Sequence, residues 1–564
     1  MKRHNTDRYY VVGEGILTHG PKSKPACVRP STREELTGFR FSRMGPNGTG
    51  IGETARIALG SAMTTSTGQT DDPGVPAGYT YLSQFVDHDL TMDATKIGFG
   101  DQVTVEQLVQ GRSPALDLDS LYGFGPDVSP GFYSDGLRLK VGTTAAAGPD
   151  AQSQQEHVGA DLPRVGGNAP RKRDQRQALI PDVRNDENLA VAQTHAMFIR
   201  FHNRVVDQLA ATTPSVDLFR RAREKVTLHY QWMLRHDMLP RLVDPAVVAD
   251  VFDNGRRFFE VPPAYDGGYL ASNSYMCAKD GDAPTMPVEF SVAAYRLGHS
   301  MIRGAYQWNK VFRPGGPLGG TTGTLELLFN FSGTSGTLSP DGSPADPDSG
   351  SFLRLPSNWI ADFRRLYDFS EATHLTAAER AALAPPAGGG NVIRRIDTLL
   401  VDPLAALPPG SFGGRDQAPP PIGPELNLAV RNLTRAEMVE LASGTQMAQV
   451  MGITPLTPAE ILTGAGGVDL GPLDQTTRDA IVDHPPLWFY VLREAELNGG
   501  RLAGVGARIV AEVFHRAIEG SRISMLADRT WRPDLGPDAD TFRMIDLILA
   551  ACDGRPDLVN PLGD

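Results

Sequence analysis

The chain has 564 residues, of which 40% are hydrophobic and 21% are charged, a composition typical of a globular protein. Its 54 basic residues against 66 acidic ones give a net charge of −12, which provides no electrostatic basis for binding nucleic acid. No run of eighteen apolar residues is present, so no transmembrane segment is expected.

Three cysteines, Cys27, Cys277 and Cys552, lie far apart and form no Cys-x-x-Cys pair. They predict neither a zinc site nor a disulfide framework, and their small number fits a reducing compartment. Residues 1–20 are polar and lack the apolar core of a signal peptide. We therefore expect a soluble protein that is cytoplasmic, or secreted without an N-terminal signal peptide.

The first chemical motif is the run from Gln84 to Asp89. On a helix Gln84, Asp87 and His88 share one face, because residues three and four apart are neighbours. Asp89 points about 100° away from His88, toward an adjacent face. The same pattern occurs on ordinary charged surface helices, and a His-Asp pair is also found in metal-dependent phosphohydrolases.

A second motif places Asp117 and Asp119 one residue apart, shortly after Ser113 and Ala115. Two carboxylates in a loop can bind a hard cation through oxygen, helped by a hydroxyl and a backbone carbonyl. Such acidic loops are also common as plain turns, so this motif alone does not establish a calcium site.

A third motif runs from Arg184 to Asn188, where Arg184 and Glu187 share a face. It opens a predicted helix, and acidic residues are favoured in the first turn of any helix. The apolar face of that helix recurs at spacings of 3, 4 and 3, at Leu189, Ala192, Ala196 and Ile199.

Two further motifs lie in the second half of the chain. His299 follows Gly298 on an apolar segment, where the absent side chain of glycine would let something flat approach closely. A histidine on an apolar helix is more often a core residue than a ligand. The short basic segment Arg431-Asn432-Leu433-Thr434-Arg435 resembles, by itself, an ordinary helix start.

The remaining pattern is helical segments separated by breaks. Pairs of apolar residues on either side of Ser443-Gly444 predict two short helices, Met438 with Leu441 and Met447 with Val450. Leu487–Leu492 and Val505–Ile518 predict two more. Stretches rich in Gly and Pro predict exposed loops at about 142–175, 313–350, 384–425 and 463–476. Alternating strand patterns are few, so we predict a mainly α fold with long irregular loops and no internal repeat.

Together, in this order, the motifs resemble the animal-type haem peroxidase superfamily, the group of myeloperoxidase, thyroid peroxidase and cyclooxygenase, and look most like its bacterial members. Four segments carry the resemblance: Tyr79–Met92 the distal helix, Asp182–Leu209 the distal-arginine helix, Ala294–Ile302 the proximal helix and Asn432–Ser443 the proximal-asparagine segment. The resemblance implies one large catalytic domain over 35–550, an N-terminal extension over 1–34 and a C-terminal tail over 551–564.

The resemblance implies a haem b with one histidine on each side. His88 matches the distal acid–base catalyst, a role that suits imidazole because it exchanges protons near neutral pH. Arg184 matches the distal arginine, whose fixed charge would stabilise a departing oxygen. Gln84 matches the glutamine near the distal water and any bound halide.

On the other side, His299 matches the proximal iron ligand. Its second ring nitrogen is expected to donate a hydrogen bond, for which Asn432 is the match and Asn427 the near alternative. Arg435 matches an arginine close to a haem propionate. Arg296 matches an arginine of the peroxidase branch.

The resemblance further implies a calcium site that holds the distal helix in place, because Asp89 adjoins His88. Asp119 stands where mammalian members have a serine or another neutral ligand, and the extra carboxylate should strengthen cation binding. The implied ligands are Asp89, Ser113, Ala115, Asp117 and Asp119.

Mammalian members also link haem covalently, through esters to acids that match Asp87 and Glu187. A third link uses a methionine just after the glutamate, but here that residue is Asn188. The resemblance therefore implies at most two esters and no sulfonium bond.

We expect a peroxidase that reduces hydrogen peroxide and oxidises phenols, halides or thiocyanate. The cyclooxygenase and dioxygenase branches place a radical-forming tyrosine three residues before the proximal histidine, but here that position is Arg296. Tyr295 is one residue away and turned by about 100° on a helix. A fatty-acid dioxygenase is the alternative within the superfamily.

Two other classes of protein remain as hypotheses. A metal phosphohydrolase built on His88 and Asp89 should have further clustered histidines, whereas the others here, such as His19, His157 and His374, are scattered. A calcium-binding interaction protein without catalysis leaves Arg184, His299 and Asn432 without a role. A Soret absorption band would separate the peroxidase from both.

Overall fold

The computed structural model shows a mainly helical protein, which confirms the predicted fold class. It describes residues 8–11, 15–18, 26–28, 39–65, 68–95, 97–167, 169–261, 284–333, 352–407 and 423–564. Cys27 forms part of a described strand, Cys552 is buried, and Cys277 lies outside the described residues.

The α-helices of the described residues differ widely in length, from single turns to the 21 residues of α5. In chain order they are α1 Glu53–Thr65, α2 Gly78–Leu90, α3 Asp119–Tyr122, α4 Lys172–Arg176, α5 Leu189–Leu209, α6 Ser215–Met233, α7 Leu239–Leu242, α8 Pro245–Asn254, α9 Gly298–Met301, α10 Leu325–Asn330, α11 Ala377–Ala382, α12 Leu428–Met438, α13 Gly444–Met451, α14 Pro458–Leu462, α15 Gln475–Asp483, α16 Leu487–Leu497, α17 Gly504–Gly520, α18 Met544–Ala551 and α19 Pro556–Val559.

The strands are short, and each described sheet has two or three of them. The first three strands pair antiparallel in sequence order; β5 pairs with β11, β6 with β7 and β9 with β10 antiparallel, and β4 with β8 parallel. They are β1 Arg8–Val11, β2 Gly15–Thr18, β3 Ala26–Val28, β4 Phe41–Ser42, β5 Asp71–Pro76, β6 Gly142–Thr143, β7 Val158–Asp161, β8 Met286–Pro287, β9 Ala305–Tyr306, β10 Gly323–Thr324 and β11 Val392–Arg394.

Two packed groups of helices form the core. In the first, α5 packs against α2, α6 and α18, and the rings of Phe85 and Phe198 stack 4.4 Å apart between α2 and α5. In the second, α12 packs against α1 and α16, and α16 packs against α17. The short helix α9 contacts α2, so the two groups meet where α2 faces the segment around His299.

Several sequence predictions about helices are refined by the structure. The helix before Ser443 ends at Met438, so Leu441 lies beyond it. The predicted proximal helix is interrupted: Glu289–Ala293 is a π-helix, Ala294–Leu297 a 3₁₀ helix, and only four residues of α-helix follow. Changes of helix type of this kind often accompany functional sites.

The predicted loops are mostly irregular where the structure describes them, with three corrections. The stretch at 142–175 contains the strands β6 and β7, which pair with each other, and its last residues begin the helix α4. The stretch at 313–350 contains the helix α10, because the Thr324 hydroxyl caps its first turn, and residues 334–351 lie outside the described residues. The stretch at 384–425 contains the strand β11, which pairs with β5, and residues 408–422 lie outside the described residues. None of the described helices is long and apolar enough to cross a membrane.

Candidate active site

The helix α2 is buried except at one stripe. Of its thirteen residues only Gln84 and Asp87 are partly accessible, and they lie three apart, so they share a face. His88 lies next to that stripe and is 5% exposed. This face is the one predicted to carry an amide, a carboxylate and an imidazole.

The imidazole of His88 is held by an asparagine from the 3₁₀ helix Val183–Asp186. His88 Nδ1 lies 2.9 Å from Asn185 Oδ1. A carbonyl oxygen only accepts, so His88 carries its proton on Nδ1 and a lone pair on Nε2. Burial, and then the nearby Arg184 cation, lowers the pKa of His88 to about 3, so the ring is neutral at physiological pH.

Arg184 is fixed from two sides. Its Nη2 donates to the carboxylate of Asp182 at 2.7 Å and to the backbone carbonyl of His88 at 3.0 Å. Asp182 also accepts from Arg112 Nε at 2.7 Å. Arg184 is therefore attached to the end of α2 beside the imidazole, and its role as the distal arginine stays a prediction.

Gln84 is held by Asn188, the N-cap of α5. Asn188 Nδ2 donates to Gln84 Oε1 at 2.9 Å, while Asn188 Oδ1 accepts from the backbone N–H of Val191 at 3.0 Å. One short segment, 182–188, thus contacts all three distal positions through Arg184, Asn185 and Asn188.

On the opposite group of helices, His299 contacts Asn432, not Asn427. His299 Nδ1 lies 2.8 Å from Asn432 Nδ2. Asn427 instead caps α12 and donates to Thr64. Arg296 Nη1 donates to Asn432 Oδ1 at 3.0 Å, so the amide can offer the ring only its NH₂ group. In this arrangement His299 Nδ1 accepts and the ring proton is on Nε2, the reverse of the expected donation.

Two arginines, Arg296 and Arg435, place positive charge near His299. Burial, and then the cation of Arg435, lowers the pKa of Arg296 to about 10. Arg435 is partly accessible and makes no hydrogen bond or ion pair with another residue in the described part of the chain. Burial raises the pKa of Asp87, and the nearby cations of Arg296 and Arg184 oppose that rise. Asp87 on α2 is thus electrostatically linked to the proximal segment.

The predicted calcium ligands come together in one buried cluster. Carboxylate oxygens of Asp89, Asp117 and Asp119 lie within 4.8 Å of one another, and all three residues are buried. Ser113 donates its hydroxyl to Asp117 and its N–H to Asp119, both at 3.1 Å. The carbonyl of Ala115 accepts from Asp117 N, which leaves its second lone pair for a cation.

Local backbone geometry and charge both suit a divalent cation here. Leu118 adopts the left-handed conformation (φ 59°), which is uncommon for leucine and places carboxylates on either side of a turn. Burial, and then the charge of Asp117, raises the pKa of Asp89 to about 7. Burial also raises the pKa of Asp119, although Arg112 lies 3.9 Å away and opposes that rise. A divalent cation bound here would supply the positive charge that lets all three carboxyl groups ionise.

The two acids predicted to form esters with haem, Asp87 and Glu187, lie beside the distal residues. Asp87 accepts from the Thr91 hydroxyl at 3.1 Å and is partly accessible on the open stripe of α2. Glu187 is buried at the start of α5, directly after Asp186 and before Asn188. A bond from either acid to haem stays a prediction.

The residues present suit a haem. Two histidines, each held by an asparagine, come from facing groups of helices, and a haem iron takes imidazole as its proximal ligand. A Cβ added to Gly298 would have no atom within 4 Å, so one side of His299 is open to a flat group. Arg296 and Arg435 supply positive charge for propionates.

Comparison with known proteins agrees with this geometry. A family model described as animal haem peroxidase matches residues 69–318. This match spans a little under half of the chain, and over that range the chain is similar to the animal haem peroxidase superfamily. The matched range contains His88, Arg184, His299 and the acidic cluster, and the superfamily is defined by its haem cofactor.

The individual relatives found for this chain are distant. A peroxidase-like protein of Margaritifera margaritifera is 32% identical over 129 residues, 22% of this chain and 14% of that protein. A chorion peroxidase of Drosophila melanogaster is 31% identical over 129 residues, again 22% of this chain and 14% of that protein. The alignments with these curated relatives thus cover only a small part of those proteins' length.

Two solved structures share the fold. Peroxidase A from Dictyostelium discoideum gives a TM-score of 0.52 at 15% identity, covering 92% of this chain and 95% of that one. A fatty acid alpha-dioxygenase from Arabidopsis thaliana gives 0.52 at 13% identity, covering 91% and 77%.

Sequence reasoning gave no role to several residues that the structure places at the site. Asn185 and Asn188 lie within the third sequence motif, in which only Arg184 and Glu187 carried a predicted role at the distal site. Asp182 lies two residues before that motif. Their contacts depend on the 3₁₀ turn that joins them to α5, and a helical wheel does not describe such a turn. Arg112 reaches Asp182 over 70 residues of chain, which no local pattern could indicate.

Proposed function

We propose that this protein is a haem peroxidase that reduces hydrogen peroxide and oxidises small donors such as phenols, halides or thiocyanate. The observation that carries the proposal is the contact of His88 Nδ1 with Asn185 Oδ1 at 2.9 Å. It supports a neutral imidazole whose Nε2 lone pair is ready to accept a proton, which is what peroxide activation requires of a base.

His88 would take the proton from the inner oxygen of peroxide on Nε2 and pass it to the outer oxygen, which leaves as water. Arg184, fixed by Asp182 and by the carbonyl of His88, would stabilise the negative charge that develops on the departing oxygen. When bound, haem would supply a redox-active iron that takes up the oxidising equivalents of peroxide.

His299 would hold the iron through Nε2, and Arg296 and Arg435 would face the propionates. Ligation through Nε2 requires the ring proton to be on Nδ1, so the Asn432 amide must turn to present Oδ1. Arg296 must then release that oxygen, which makes its guanidinium available to a propionate.

The contacts of the proximal segment favour a peroxidase over a dioxygenase. The position three residues before His299 is a guanidinium, which cannot form a hydrogen-abstracting radical. The neighbouring Tyr295 is buried, with its ring stacked 4.6 Å from that of Phe290. The structural likeness to a fatty acid alpha-dioxygenase keeps a lipid substrate as the second candidate, which the donor assay below tests.

A calcium ion at Asp89, Asp117 and Asp119 would support the base, because Asp89 directly follows His88 on α2. Asp89 accepts from Ser120 and Leu118, which already ties the end of α2 to the acidic loop. A cation shared by the three carboxylates would fix that connection further.

The test uses the full chain reconstituted with haem. A Soret band and a fast Soret change on mixing with hydrogen peroxide are expected, and His88→Leu should slow that change by about 10²–10⁴-fold, the usual contribution of general acid–base catalysis. His374→Ala, at an exposed histidine, is the matched control and should react like the parent.

Donor class is measured in parallel. Peroxide-dependent oxidation of iodide and of a simple phenol is expected, without oxygen uptake on adding a polyunsaturated fatty acid. Robust oxygen uptake with the lipid and no peroxide-dependent oxidation would move the protein to the dioxygenase branch. A reconstituted chain with no Soret band would overturn the haem assignment altogether.

A further inference from the structure

The distal glutamine is held in one orientation by a side chain that is itself fixed. Asn188 is 4% exposed and caps α5, so its Oδ1 is committed to the backbone N–H of Val191 at 3.0 Å. Its Nδ2 therefore has to point the other way, where it donates to Gln84 Oε1 at 2.9 Å. The backbone N–H cannot become an acceptor, so the Asn188 amide cannot turn over without losing its cap.

This arrangement decides which end of Gln84 faces the active site. If the Gln84 amide turned over, its NH₂ group would meet the NH₂ group of Asn188, and two donors would oppose each other. Gln84 thus keeps Oε1 on Asn188 and keeps Nε2 away from it. Gln84 is partly accessible on the open stripe of α2 and Nε2 makes no hydrogen bond with another residue in the described part of the chain.

We propose that Asn188 is a positioning residue that turns the Gln84 amide so that the distal site offers an N–H donor and selects small anions and other hydrogen-bond acceptors. The inference rests on the proposed haem peroxidase function. Asn188 has no thioether for a third haem link, and the proposal gives it a different role.

The electrostatic surroundings agree with this choice of ligand. Arg184 and Arg296 both lie close enough to Asp87 to lower its pKa, and the carboxylate of Asp182 acts on it in the opposite sense. Two guanidinium groups therefore lie near the open stripe of α2, partly balanced by two carboxylates. A neutral donor such as Gln84 Nε2 adds direction to these charges, because a hydrogen bond requires alignment whereas a distant charge does not.

Fluoride binding to the ferric haem protein tests the proposal without turnover. Asn188→Asp and Asn188→Ser both keep an oxygen that can cap α5, so the fold is preserved. The carboxylate introduced by N188D offers Gln84 only acceptors and should reverse its amide, while the shorter hydroxyl introduced by N188S releases it. We expect the fluoride dissociation constant to rise about tenfold in N188D and several-fold in N188S, the order expected when one hydrogen bond to an anion is lost.

Each variant is also made in a Gln84→Leu background, which removes the amide but keeps the approximate shape of the side chain. There the N188S effect should vanish and N188D should retain only the part due to its added charge. A loss of fluoride affinity that is equal in both backgrounds would show that Asn188 does not act through Gln84 and would overturn the proposal.

The two proposals fail differently. If the parent protein has no Soret band, the haem peroxidase function is wrong. If the parent binds haem and fluoride but N188S binds fluoride as tightly as the parent, with unchanged thermal stability, the peroxidase proposal stands and the positioning role of Asn188 is wrong.

Discussion

The carboxylate of Asp182 is shared between two guanidinium groups, those of Arg112 and Arg184, each 2.7 Å away. Burial alone would raise the pKa of Asp182, but the two cations hold it well below its usual range. Arg112 also lies 3.9 Å from Asp119. A chain of alternating charges therefore joins the acidic cluster to the distal arginine.

Replacing Asp182 with Asn should cost about 3–5 kcal/mol in the free energy of unfolding, because two buried guanidinium groups would lose their shared counter-charge. Peroxide activation should slow as well, since Arg184 would lose its anchor. Urea unfolding and stopped-flow mixing measure the two effects. Asp217→Asn breaks an exposed pair with Arg220 and should change stability by less than about 1 kcal/mol. Equal stability losses in both variants would contradict this view of Asp182.

The side-chain oxygen of Asn185 should orient the His88 ring for its reaction with peroxide. Asn185→Leu removes the acceptor for His88 Nδ1, so the ring is no longer held with its lone pair on Nε2. The reaction with peroxide should slow by at least about tenfold, a part of the ~10²–10⁴-fold that general acid–base catalysis contributes. Asn185→Asp keeps an acceptor and should react within a few-fold of the parent. ¹⁵N NMR of the histidine rings in the haem-free chain reports the tautomer directly. If the leucine variant reacts at the parental rate, Asn185 does not orient the base.

His299→Ala should lose haem, because the chain would retain no proximal ligand in this position. The Soret absorbance per chain after gel filtration is the measurement, and His374→Ala at an exposed site is the comparison. A His299→Ala protein with a normal Soret band and full peroxidase activity would mean that another residue holds the iron.

Removing calcium should destabilise the protein and slow its reaction with peroxide together, because the cluster and His88 share one end of α2. We expect about one calcium per freshly purified chain by metal analysis, and a lower melting temperature after chelation. Asp117→Asn should lose the ion, whereas Asp127→Asn, at an exposed acid nearby in sequence, should keep it. Fully active protein that contains no calcium would rule the site out.

We expect haem to become covalently attached through Asp87 and Glu187, and the attachment to increase on exposure to peroxide. Denaturing mass spectrometry before and after peroxide treatment measures it. Asp87→Asn and Glu187→Gln should each lose one link, and the double variant should release all haem into acidic organic solvent. Asn188 has no thioether, so a third link is not expected. Complete extraction of haem from the treated parent protein would contradict this prediction.

Much of the site could be predicted from the sequence because its residues lie in local motifs. Gln84, Asp87 and His88 follow from the spacing of one regular helix, and α2 has that helix from Gly78 to Leu90. The acidic cluster needed the resemblance to bring Asp89 to a loop that lies well beyond it in sequence. The resemblance read from the sequence implied Asn432 as the partner of His299 with Asn427 as the alternative, and the structure distinguishes the two because Asn427 serves as a helix cap.

What the sequence could not supply was the direction of each polar group. Which amide atom of Asn432 faces His299 depends on Arg296, and that contact arises where a π-helix passes into a 3₁₀ helix. The link from Arg112 to Asp182 crosses between separate loops. Side-chain orientation of this kind is set by tertiary neighbours, which periodicity does not encode.

The contact of Arg296 with Asn432 also bears on how the protein matures. While it lasts, His299 presents an N–H at Nε2, and a loose transition-metal ion needs a lone pair there. Haem carries propionate carboxylates that compete for Arg296. Once Arg296 binds a propionate, the Asn432 amide can turn and His299 Nε2 becomes available to the iron. We expect zinc or cobalt ions to bind poorly at His299 in haem-free protein. Binding at His299 would then require a metal and an anionic group on the same molecule, and free metal ions would not bind there.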